Sequence, residues 1–126
     1  MTAPQKYPLK YYSTHPYLQV LNQLISLAKQ RKPPIGYTYV FEALGLKRGN
    51  YAAAQAGHLL GEICQHMHQE GKPMLGALVM NMQKGLPGDG FFELAITLGR
   101  LRAGATDREK RSFWESELKA IYGTAW

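Results

Sequence analysis

One cysteine, Cys64, is all the thiol chemistry in this chain, so no disulfide can form within it. A fold stapled by crosslinks is excluded, and a cytoplasmic protein is the expectation. No stretch approaches the roughly 20 consecutive apolar residues of a membrane-crossing helix. The opening segment, Met1 to Pro16, mixes Pro, Gln, Lys and Tyr, without the charged-then-apolar pattern of a secretory leader. Acidic residues are scarce: 9 against 15 Lys and Arg, a net charge of +6. That balance permits an anionic partner, nucleic acid or an acidic protein, although many plain globular proteins share it. The 126 residues are enough for one domain with its own core, and an apolar fraction of 45% argues against global disorder. Internal repeats, low-complexity segments and domain linkers are absent from the sequence.

The residue sets of an enzyme or a metal centre are missing too. His58, Cys64, His66 and His68 fall on one predicted helix, and His15 is the only other histidine. Only Cys64 and His68 have the i, i+4 spacing of a two-ligand helical site. His66 points about 160° away from His68 at 100° per residue. A zinc ion needs ligands that converge from one side, so no metal and no cofactor are expected. Cys64 lies in mid-helix between Ile63 and Gln65, the place of a small core residue rather than of a nucleophile. No catalytic residue is assigned. Lys84-Gly85-Leu86-Pro87-Gly88-Asp89-Gly90 is rich in glycine. It lacks the Gly-Lys-Ser/Thr ending of a nucleotide loop, and it sets Asp89 where an anion would sit. It reads as a rigid turn, either a wing or a surface for another protein.

Local pattern predicts the elements. Residues 1–14, with two prolines and alternating Lys and Tyr, form an extended arm that lays tyrosines on the surface; contact of its basic and aromatic groups with nucleic acid is the sharper alternative. A helix begins near Pro16 behind Ser13 or Thr14, with Leu18, Leu21, Leu24, Ile25 and Ala28 inward. Lys29, Arg31 and Lys32 suit its last turn, and Pro33-Pro34 end it. A short strand over 35–37 leads to a helix capped by Thr38 and stopped at Gly45. Lys47-Arg48-Gly49-Asn50 makes the turn, and Asn50 caps a long helix over about 51–70 with Leu59, Leu60, Ile63 and Met67 buried. Leu75 to Met80 is a continuous apolar run, read as a strand. Asp89 caps a helix over 91–102; the return strand of a wing hairpin is the alternative for 91–97, and Glu93-Leu94-Ala95 favours helix. Thr106 and Glu109 form a capping box for a last helix with Trp114, Leu118, Ile121 and Tyr122 on one face. Its mixed charges, Glu115 and Glu117 among them, suggest a solvated face. Arg100 and Arg102 add a local basic cluster.

Residues 34–61 thus have the pattern of a helix-turn-helix, and the segment after them that of a strand and wing. Pro34-Ile35 through Leu44-Gly45, with Thr38-Tyr39 between, resembles the start of the winged helix in alkylguanine-DNA alkyltransferases and alkyltransferase-like proteins. Ala54-Gln55-Ala56-Gly57 stands where those families carry an Arg-Ala-Val-Gly stretch. Leu78-Val79-Met80-Asn81 followed by Lys84-Gly85 echoes their Val-Val-Asn and glycine wing. The resemblance covers about half the chain and implies a winged-helix fold. Their Pro-Cys-His-Arg motif is missing, its nearest counterpart being Pro73-Met74-Leu75-Gly76, so no acceptor for an alkyl group is implied. The base-displacing Arg of their recognition helix is replaced by Ala54 or Gln55.

The expectation is a mostly helical α+β domain: an arm over 1–14, then one domain over 15–126. That domain has a winged-helix-like core to about residue 100 and an added C-terminal helix. The expected function is non-enzymatic DNA binding, mainly through phosphates, with Lys47, Arg48, Asn50, Gln55 and Lys84 as contacts. The absence of Lys and Arg between Tyr51 and Glu70 argues against extensive base readout. The rival expectation is a protein-binding module, an adaptor or a mobile-element-encoded inhibitor. It would use the Gly-Pro loop, with Leu86, Pro87 and Phe91, as its interface.

Overall fold

A computed structural model describes residues 10–126. Residues 1–9, most of the expected arm, lie outside the described residues. The described chain is mostly helical, with one two-stranded parallel sheet. In order it comprises α1 (His15–Lys29), β1 (Ile35–Gly36), α2 (Thr38–Leu44) and α3 (Asn50–Gln69). A 3-10 turn (Leu75–Leu78), β2 (Val79–Met80), α4 (Asp89–Thr97) and α5 (Asp107–Gly123) follow.

Helix α1 buries Tyr17, Val20, Leu24 and Ala28. The expected face is therefore turned by about one residue, and Leu18 is left exposed. Tyr17 takes the inward place because its ring offers more apolar area than leucine, while its hydroxyl is hydrogen-bonded to His66 Nδ1 at 3.0 Å. Thr14 holds the cap position, as expected, but its side chain makes no cap bond: its hydroxyl donates to the Tyr11 carbonyl instead, at 2.5 Å. Beyond the far end, Lys32 N–H donates to Leu27 O and Arg31 N–H to Ala28 O. This is the paired C-terminal closure usually built around glycine, here with Arg31 in the left-handed region at φ 54°.

Helix α2 ends at Gly45 with φ 69°, as its sequence predicts. Both α2 and α3 start one residue earlier than expected. Phe41 N–H already donates to Tyr37 O, and Ala53 N–H to Gly49 O. Tyr37 and Gly49 therefore occupy the cap positions, while Thr38 and Asn50 become first-turn residues without side-chain caps. Helix α3 is the axis of the domain. Leu59, Leu60, Ile63 and Met67 form its buried stripe, each aliphatic side chain worth about 1.5–3 kcal/mol relative to exposure.

The run 75–80 departs most from expectation. Only Val79 and Met80 are strand, paired in parallel with Ile35 and Gly36; Leu75 to Leu78 turn as a 3-10 helix. The turn is buried on all sides, so its backbone finds partners in side chains rather than in a sheet. Met74 N–H donates to Glu117 Oε1 (3.1 Å), Gly76 N–H to Cys64 Sγ (3.3 Å), and Trp114 Nε1–H to Ala77 O (2.8 Å). Buried backbone groups must be paired, and here α3 and α5 pair them.

Residues 91–97 are helical, within α4; this helix starts at Asp89 and stops at Thr97, short of the expected Arg102. Gly99, with φ 77°, and a bond from Arg100 N–H to Ala95 O turn the chain there. The capping box of α5 forms as predicted: Thr106 Oγ1 accepts from Glu109 N–H and the Glu109 carboxylate accepts from Thr106 N–H. Glu117, however, is buried rather than solvated. It pairs with Arg100 at 3.0 Å, and Arg100 also donates to His68 Nδ1 and Lys72 O. Arg102 is bound to Glu109. The expected basic cluster at 100–102 is thus engaged by acidic partners. The Arg102 hydrogen bonds, then the Thr106 N–H, pull the Glu109 carboxyl down to about 2.

Candidate nucleic-acid interface

Between α3 and the loop after β2 lies an open groove of about 780 Å³. Asn50, Ala53, Ala54 and Gly57 of α3 form one wall, and Asn81, Met82 and Gln83 part of the opposite one. Along Ala53, Ala54 and Gly57 the α3 wall is low because these side chains are methyl groups or hydrogen, which lets another molecule approach the helix backbone there.

The opposite wall is a built turn. Asn81 N–H donates to Leu86 O and Gly85 N–H to Asn81 O, both at 2.8 Å. The Asn81 side-chain oxygen accepts from Gln83 N–H (3.0 Å) and Lys84 N–H (3.2 Å). Asn81 thus closes the turn with main chain and side chain together, an Asx-type arrangement that fixes residues 82–84.

Tyr37, Cys64, Gly76 and Phe91 are among the residues at the groove's inner end. The Tyr37 hydroxyl oxygen accepts from Gly88 N–H at 2.9 Å. A Cβ at Gly88 would lie 2.9 Å from that oxygen, so a larger residue there would have to push the phenol aside. Burial raises the Tyr37 phenol above its ordinary value, so it stays protonated and keeps its O–H for donation. Burial pushes the Cys64 thiol up to about 12. A thiol held protonated, with its sulfur accepting from Gly76 N–H, is a structural group and not a nucleophile.

Of the residues expected to contact DNA, Arg48 and Asn50 are exposed on the groove lining, and Lys47 and Lys84 are exposed beside it. Gln55 is elsewhere. It is buried, and its Oε1 accepts from Lys10 Nζ at 2.7 Å and from the Tyr11 hydroxyl. Two turns along, Glu62 is 1% exposed and accepts the backbone N–H groups of Lys10, Tyr11 and Tyr12. Gln55 therefore latches the start of the described chain to α3 and does not face the groove. Gln55 and Glu62, seven residues apart, lie on one side of α3, the only trace of this latch in the sequence.

Cys64 and His68 do not converge: the thiol bonds Gly76, while His68 Nδ1 accepts from Arg100 Nε. Among the described residues, no group of three or more His, Cys, Asp or Glu is placed to hold a metal ion. No helix among them is long and apolar enough to cross a membrane. No protein-family model, no curated protein and no solved structure matches this chain.

Proposed function

We propose that this chain is a non-enzymatic DNA-binding protein of winged-helix type that holds duplex DNA mainly by its phosphates. In this reading α2 and α3 are the helix-turn-helix, and the turn closed by Asn81 and Leu86 is the wing. The observation that carries it is the exposed Arg48 on the groove lining, with exposed Lys47 next to it in the turn before α3 and exposed Lys84 next to Gln83, which also lines the groove. Asn50 is the one polar side chain of α3's first turn on the lining. Ala53, Ala54 and Gly57 read no bases, so weak sequence preference is expected. A cytoplasmic location accords with this role.

The protein-binding rival requires Leu86, Pro87 and Phe91 as an apolar interface. Pro87 is buried, and Leu86 and Phe91 are partly buried against the core. The loop therefore offers little apolar surface to a partner, and the DNA reading is preferred.

The test is fluorescence anisotropy with a labelled duplex of about 25 base pairs in about 50 and 200 mM salt. Three neutralised phosphates give a slope near −2.7 in log K against log salt, or roughly a 40-fold loss of affinity over that range. Lys47→Ala should reduce the slope by about 0.9. Absence of binding at low salt refutes the proposal.

A further inference from the structure

We infer that Met82 is a wedge that opens a base-pair step of bound duplex DNA, an inference that rests on the DNA reading above. Among the described residues the exposed large hydrophobics are Tyr12, Leu18, Tyr51 and Met82, the last at 65% exposure. Met82 alone of these lines the groove.

Its mounting is rigid. The turn that carries it is closed on both sides by Asn81, and its root follows β2, whose Met80 is in register with Gly36. The stem of the side chain rests on that same Gly36: a Cβ there would lie 3.1 Å from Met82 Cγ. Glycine at 36 thus makes room for the methionine, whose Sδ would lie 3.7 Å from the same Cβ position, while much of the side chain remains exposed. An exposed, long apolar side chain on a braced turn is the kind of residue that minor-groove proteins drive between base pairs. Gln83 and Lys84, both exposed, follow on the same turn. They supply an amide for a sugar or base edge and a cation for the flanking phosphate. The ligand is therefore a duplex with an easily unstacked pyrimidine–purine step, such as TA, in preference to a stiff A-tract.

The test uses the full chain and a duplex with a central TA step, its adenine replaced by a fluorescent analogue that brightens on unstacking. Anisotropy on the same samples reports binding. The wild-type protein should raise the emission on binding, and raise it less with an A-tract duplex. Met82→Ala, at an exposed site, should bind with an unchanged salt slope and lose the emission rise; Met82→Leu should keep it. Binding by the wild type without a rise, or a full rise in Met82→Ala, overturns the wedge and leaves the DNA reading standing. No binding at low salt overturns both.

Discussion

Replacing Gly76 by alanine adds a methyl group where the structure has no room for one. The new Cβ would lie 2.7 Å from Cys64 Sγ, while its next neighbour, Phe91 Cδ1, is at an ordinary 3.5 Å. The sulfur is the single obstacle, and it belongs to a fully buried side chain that cannot swing into solvent. Overpacking of this kind costs about 1–3 kcal/mol, offset by about 0.4–1 kcal/mol because alanine stiffens the unfolded chain. A net loss of about 1–2 kcal/mol should lower the midpoint of thermal unfolding by roughly 3–8 °C in a domain of this size. Cys64→Ala alone should cost about 1–3 kcal/mol, since it strips Gly76 N–H of its acceptor. In the double variant the added methyl enters the space vacated by the sulfur, so the two costs should not add. Urea unfolding followed by tryptophan fluorescence, reported by the buried Trp114, gives all four stabilities. A coupling of at least about 0.5 kcal/mol in the compensating direction is expected. Additivity within about 0.3 kcal/mol would refute the claim that sulfur occupies the place of the missing side chain.

Three further outcomes are expected. Arg31→Gly should raise stability by about 1 kcal/mol in thermal or urea unfolding, because φ 54° disfavours a residue with a Cβ; an unchanged or lowered stability would refute this account of the α1 terminus. His68 is held below its ordinary value by burial and then by the charge of Arg100. The unfolded chain therefore takes up its proton first, and this contribution to stability is present above the unfolded pKa of about 6.5 and lost as pH falls through the lower folded value. Melting temperatures between about pH 7 and 5 should fall less in His68→Gln than in the wild type; identical slopes would contradict the assignment. Glu62→Gln leaves one acceptor oxygen for three backbone N–H groups, at a cost of about 1–3 kcal/mol. Amide exchange at Lys10 to Tyr12 should accelerate while Leu59 and Ile63 stay protected, and unchanged exchange would disprove the latch.

What could be read from the sequence follows the strength of its periodicity. The stripe Leu59, Leu60, Ile63 and Met67, the Gly45 stop and the Thr106–Glu109 box are local patterns, and each has its expected place. The segment from Met74 to Met80 has no period, because it is apolar throughout and buried all round. Its conformation is decided by Glu117, Cys64 and Trp114, which lie far away in sequence. The α1 face turns by one residue from the leucine pattern because Tyr17 combines a large apolar ring with a hydroxyl partner, His66, on another helix. For the same reason Glu117 among surface charges looks like one of them until Arg100 is found beside it. Of the candidate site, Arg48, Asn50 and Lys84 follow from turn composition. The groove does not, since β1, α2, α3 and the loop after β2 each bring part of it. Gln55 lies away from the groove because Lys10 and Tyr11 cover its side of α3, which helical spacing alone does not reveal.

The side-chain partners of the 74–78 segment also set an order of events during synthesis. When that segment leaves the ribosome, α3 has already emerged and can offer Cys64 to Gly76. Met74 N–H and Ala77 C=O must wait for Glu117 and Trp114 of α5. Until then the most apolar stretch of the chain holds unpaired backbone groups, which water alone can satisfy, so it cannot close into a dry core. Docking of α5 is therefore what pairs these groups and lets the stretch close into a dry core.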